Sequence, residues 1–93
     1  MHEGVLRRIQ EKVRSQAYVV TLHADDEMYE DELTIQDLEH AVATGSVVER
    51  QKDQNSHEGK YVIHGSSLRS EPVAVVAKLG FTGRVVIITV YRP

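Results

Sequence analysis

The spacing of apolar residues along this 93-residue chain changes once, at Gly45, and that change constrains the fold more than any other feature. Before it, apolar side chains recur every three or four positions; after it, they recur every two. Val5, Leu6, Ile9 and Val13 share one helical face over residues 3–16, with Arg7, Arg8, Lys12 and Arg14 mostly off it. Residues 18–22, Tyr-Val-Val-Thr-Leu, are β-branched and aromatic and suit an extended segment, either a short strand or a taut linker. Residues 23–30 are good helix formers, with Ala24 and Met28 facing inward and Tyr29 a further candidate to do so. Ile35, Leu38, Ala41 and Val42 then predict the best-defined helix, over 35–43. Thr34 and Asp37 form a capping box at its start, and Gly45 reads as its left-handed stop.

From Ser46 onward, four β segments follow at about 46–51, 60–65, 72–79 and 84–91. Residues 52–59 read as a flexible polar loop, and 80–83 as a link close to hairpin length. Short links join antiparallel neighbours, whereas parallel neighbours need a long crossover. The expectation is a single α+β domain over 1–93, its N-terminal helices packed on one face of a four-stranded antiparallel sheet.

Composition narrows the chemistry. The chain has no cysteine, which excludes a disulfide framework, a thiolate zinc site and a cysteine nucleophile. A net charge of −3 excludes a strongly basic nucleic-acid coat. The charge is nevertheless segregated. Residues 1–46 hold ten acids and four bases, and residues 47–93 hold four acids and seven bases. Between Asp25 and Glu39 lie eight acids and no lysine or arginine, which is either a solvated helical face or a surface for a basic partner. No apolar run reaches the roughly 18 residues of a membrane span, and Met-His-Glu-Gly does not open a secretory signal, so a cytoplasmic protein with no membrane association is expected.

Strand polarity selects candidate residues. In the second β segment Tyr61 and Ile63 point one way, and Lys60, Val62 and His64 the other. Lys60 and His64 thus share a face, either simply solvated or able to touch one phosphate together. In the last segment, strict alternation puts Thr89 and Tyr91 on one face, and Arg84 and Arg92 on the other around Val86, Ile88 and Val90.

Three pieces of the chain carry a resemblance. They are Thr21-Leu22-His23-Ala24 followed by Met28, Leu33-Thr34-Ile35-Gln36-Asp37-Leu38, and Ile87-Ile88-Thr89-Val90-Tyr91-Arg92-Pro93. Their order over residues 18–93 resembles a widespread bacterial family of small uncharacterised domains with T-x-H-A and I-T-V-Y motifs. That family is similar to the RelE-like branch of the barnase–EndoU–colicin ribonucleases. Its members often neighbour a small zinc-ribbon antitoxin resembling the partner of the MqsR toxin. The resemblance implies a RelE-like fold, metal-independent cleavage of RNA, and the role of toxin in a toxin–antitoxin pair. The chain departs from the family at Met28-Tyr29-Glu30-Asp31-Glu32, where members carry Met-x-Glu-Arg-Gly. An acid replaces the expected cation. A non-catalytic protein-binding module, or a nucleic-acid-binding regulator on the same fold, therefore stands as the alternative.

Metal-free RNA cleavage needs a base for the 2′-OH, an acid for the 5′ oxygen and cations for the phosphorane. His23, matched to the family motif, and His64 with Lys60 are the candidates for proton transfer and charge, and Tyr91 can position or donate. Arg50, Arg84 and Thr89 are candidates for holding RNA. His23, Asp25 and Asp26 lack the spacing of a known metal motif, and no cofactor is expected.

Overall fold

The computed structural model describes residues 2–52, 59–80 and 82–93. Most of the polar loop expected at 52–59, including His57, lies outside the described residues. The elements are α1 (Glu3–Arg14), β1 (Tyr18–Val20), α2 (Leu22–Glu30), α3 (Ile35–Thr44), β2 (Ser46–Lys52), β3 (Gly59–Ser66), β4 (Pro72–Leu79) and β5 (Val85–Tyr91). The fold is α+β, as the change of period requires.

The sheet has five strands in the order β1-β5-β4-β3-β2, not the four expected, and it is mixed rather than antiparallel. Strands β2 to β5 form the antiparallel meander set by their short links. The fifth strand is the extended segment after α1. It runs parallel to β5, with Tyr18, Val19 and Val20 opposite Val85, Val86 and Ile87. A parallel partner needs a long connection, and α2, α3 and three strands supply it. Tyr18 also donates its hydroxyl to Glu39 Oε2 at 2.6 Å, tying β1 to α3. Burial, together with that carboxylate, pushes the phenol pKa up.

All three helices cover one face. Ile9, Val13, Ala24, Met28, Leu38, Ala41 and Val42 pack on Ile63, Val73, Val75, Ala77, Val85, Ile87 and Val90. Each such side chain, fully buried, contributes about 1.5–3 kcal/mol relative to exposure.

The helix ends follow local chemistry. At α3, Thr34 Oγ1 accepts from the Asp37 amide at 3.1 Å, and Asp37 Oδ2 accepts from the Thr34 amide at 3.0 Å, so the capping box forms as read. Asp37 Oδ1 accepts the Leu68 amide as well. The amide of Thr34 and then that of Leu68 hold the Asp37 carboxyl below its usual pKa, with Arg69 adding to the effect. His40 is half-buried and donates from Nδ1 to the Ser66 carbonyl at 2.8 Å.

Gly45 is not a left-handed stop. Its φ of −89° and ψ of 173° are extended. A glycine is needed there for space, because a Cβ would sit 2.5 Å from Ile63 Cγ2. Gly65 is tighter, with a Cβ falling 1.9 Å from the Ala41 carbonyl oxygen. These two positions let the C-terminal turn of α3 lie flush on β3. The left-handed ends belong to α1 and α2. Gln16 (φ 66°) and Glu32 (φ 56°) adopt them without being glycine. Each closes a paired motif: Ala17 N–H to Lys12 O with Gln16 N–H to Val13 O, and Leu33 N–H to Met28 O with Glu32 N–H to Tyr29 O.

Two register shifts and one helix shape the sheet surface. Val48 is the extra residue in β2, and Ile88 the extra residue in β5. The second bulge corrects the polarity read for the last strand. Val85, Ile87 and Val90 all face the helices and are buried, so Val86, Thr89 and Tyr91 share the other face. Where β1 ends, α2 takes over the flank of β5. The Thr21 amide donates to Ile87 O, Thr21 Oγ1 to Ile88 O, and Glu27 Oε1 accepts from the Val90 amide, each at 3.1 Å. Among the described residues, no helix is long and apolar enough to cross a membrane.

Candidate functional site

The helices leave the other face of the sheet uncovered, and residues paired across strands point to the same side. Three rows cross it. The first holds His64, Ala74 and Tyr91; the second Glu49, Val62, Val76 and Thr89; the third Gln51, Lys60, Lys78, Val86 and Val19. Its floor is apolar and already closed by neighbours, since Val62 is 4% and Ala74 0% exposed with no helix above them. His64 is exposed; Lys60, Thr89 and Tyr91 are half-buried. Among the described residues no side-chain hydrogen bond or ion pair engages His64 or Lys60.

His64 and Tyr91 stand on either side of Ala74, on strands two apart. That spacing is about 10 Å between their backbones, and Ala74 between them is 0% exposed, so neighbouring side chains close over its methyl group. Lys60 lies four residues from His64, about 13 Å along the strand. The two therefore suit different phosphates of one extended chain, not the single phosphate expected. Sequence reading missed Lys78, which the register sets directly opposite Lys60 and so doubles the cationic row. The only sequence signal was a charge ending the apolar run of residues 73–77.

The remaining candidates are placed apart. Arg50 is on the opposite face. It pairs with Tyr61, whose hydroxyl accepts from Arg50 Nε at 3.3 Å and whose ring packs against the core. Arg84 is exposed just ahead of β5. His23 sits in the first turn of α2, 69% exposed, with Nε2 3.4 Å from Glu27 Oε2. Helix α2 flanks β5, so His23 is about three strand spacings, some 14 Å, from β3. Arg92 turns away to clamp Glu71 at 3.0 Å and the Asp31 carbonyl at 2.9 Å. That cation suits the C-terminal end of α2.

Three clefts among the described residues lie elsewhere. One of about 460 Å³ is lined by Asp37, Ser67, Arg69 and Arg92, one of about 430 Å³ lies between α1 and α3, and one of about 160 Å³ adjoins His2 and Val47. The candidate site is thus a broad, shallow surface, suited to a polymer more than to an enclosed small molecule. Among the described residues, no three His, Asp or Glu side chains gather as a metal site would need.

Residues 20–92 match the family described as a domain of unknown function, DUF4258. The chain belongs to the DUF4258 family. The matched region opens inside β1 and closes after β5, so it holds α2, α3 and the uncovered face except for Val19, while α1 precedes it. His23, Lys60, His64, Thr89 and Tyr91 all fall within the DUF4258 region. No curated protein and no solved structure matches the chain.

Proposed function

We propose that this DUF4258 domain is a metal-independent endoribonuclease, the toxin of a toxin–antitoxin pair on a RelE-like fold. The observation that carries the proposal is the row His64–Ala74–Tyr91, with Thr89 beside it and Lys60 and Lys78 beyond it, on the one face of the sheet without a helix. An extended RNA strand lies across the face with its scissile phosphate resting between His64 and Tyr91. His64 takes the proton of the 2′-OH, which attacks its own phosphorus. The 5′ oxygen leaves with a proton from the Tyr91 hydroxyl, and a 2′,3′-cyclic phosphate remains. Lys60 and Lys78 hold a neighbouring phosphate, and Arg84 extends that cationic row. Thr89 hydrogen-bonds the backbone between the rows. His23, on the acidic helix α2 some 14 Å from β3, takes no part in the reaction. A small zinc-ribbon antitoxin covers the face in the neutralised pair.

The test is incubation of the purified chain with single-stranded RNA in the presence of a chelator. Cleavage leaving 2′,3′-cyclic ends is expected, with no cleavage where a 2′-deoxynucleotide stands at the scissile position. His64→Ala should lower the rate at least a hundredfold, in line with loss of a general base. An unchanged rate in His64→Ala overturns the assignment.

A second reading, a nucleic-acid-binding regulator, is favoured by the 13 Å between Lys60 and His64, which suits tracking a backbone without reaction. RNA binding without any cleavage supports it.

A further inference from the structure

Helix α2 buries one side in the core through Ala24 and Met28, and its opposite side has an unusual composition. Leu22 is 83% and Tyr29 86% exposed, the two most exposed large apolar side chains among the described residues. They are seven positions apart, two helical turns, and so lie on one line about 10 Å long. Asp25 and Asp26 stand between them, and all four side chains fall within about 100° of arc. All four are exposed, as is Glu30 beside Tyr29. Among the described residues Asp25, Asp26 and Glu30 form no ion pair, and neither α2 nor α3 contains a lysine or arginine. A nine-residue helix that needs only Ala24 and Met28 for its own packing gains nothing from presenting a leucine and a tyrosine to water.

We infer that the outer face of α2 is a docking surface for a basic amphipathic helix of another protein. Two apolar side chains of the partner, seven residues apart, cover Leu22 and Tyr29, and its flanking lysines or arginines face Asp25, Asp26 and Glu30. The charge decides the occupant. A second copy of this chain offers only α1 as a basic helix. The exposed side chains of α1 are Glu3, Arg7, Arg8, Glu11 and Arg14, with no large apolar group to meet Leu22 or Tyr29. Nucleic acid is repelled by the carboxylates. This surface is separate from the uncovered sheet face, and the inference does not depend on RNA cleavage.

The test uses a labelled synthetic helix of leucine and lysine, its leucines in heptad positions, and a leucine–glutamate counterpart, each titrated with the full chain by fluorescence anisotropy. The lysine peptide should bind and the glutamate peptide should not. Leu22→Ser with Tyr29→Ser should weaken binding at least tenfold, while circular dichroism stays unchanged because both side chains are exposed. Asp25→Asn with Asp26→Asn should weaken binding and flatten its salt dependence. Leu68→Ser, at a 59% exposed leucine elsewhere, should leave binding unchanged. Equal weakening by Leu68→Ser, or none by the Leu22 and Tyr29 pair, overturns the inference, since only bulk charge would then be at work. Self-association of the chain lost in the same pair of variants would make a second copy the occupant and overturn it too.

Discussion

Glu32 holds a left-handed backbone (φ 56°) at the end of α2, where a Cβ meets a steric cost that glycine avoids. Glu32→Gly should therefore stabilise the fold by about 1 kcal/mol, seen as a higher urea midpoint. Asp37 illustrates a different dependence. Its carboxyl pKa is depressed in the folded chain by the Thr34 and Leu68 amides. Its contribution is thus fully present above the unfolded pKa and is lost as pH falls through the folded one. Thermal melts from pH 7 downward should show the wild type losing more stability in acid than Asp37→Asn, which has no charge to lose. The Thr34–Asp37 box was legible in the sequence because a cap is a local event, spelled by two residues three apart. Glu32 was not, because a left-handed acidic residue carries no signal of its own, whereas Gly45 carries the signal of a left-handed stop without the conformation.

At the scale of elements, contacts between α3 and β3 depend on an absence of side chain. In Gly65→Ala the new methyl would overlap the Ala41 carbonyl, which is backbone and cannot swing away. The helix must lift from the sheet, at a cost of about 3 kcal/mol. Chemical denaturation should show that loss, whereas Gly4→Ala, with nothing near its Cβ, should show none of it. The strands from Ser46 were legible because each spans enough residues to display alternation. β1 was not assignable as a strand from three residues, and its partner lies 67 positions on. The bulge at Ile88 was hidden for another reason. It lies in the apolar run of residues 85–88, with polar Thr89 next, so neither face could be told from the other until Val90 was seen to be buried beside Val75. The candidate site inherits this pattern. Period two placed Lys60 and His64 on one face, but joining them to Lys78 and Tyr91 required the register of three strands.

For the molecule as a whole, segregated charge sets how it meets a polyanion. Ten of the fourteen acids lie in residues 1–46 and seven of the eleven bases in residues 47–93, so a phosphate chain is steered toward the C-terminal half, which holds four of the five strands, although the net charge is −3. Binding through about three phosphates to a single strand predicts that log K falls with log salt at a slope of about −2. Filter binding of a short single-stranded RNA between 50 and 300 mM salt (about the usual range for such slopes) measures it, and Lys60→Ala should make the slope shallower by about 0.7.

The two borders of the sheet have unequal fates. Along β5, α2 has engaged the outward carbonyls of Ile87 and Ile88 and the amide of Val90, whereas no strand among the described residues pairs with the outer side of β2. The opposite border, β1, is only three residues long, so lateral stacking of molecules strand against strand has its longest template at β2. Two such borders meeting there would form a pair whose remaining borders are the short β1 edges, which give a fibre little from which to grow.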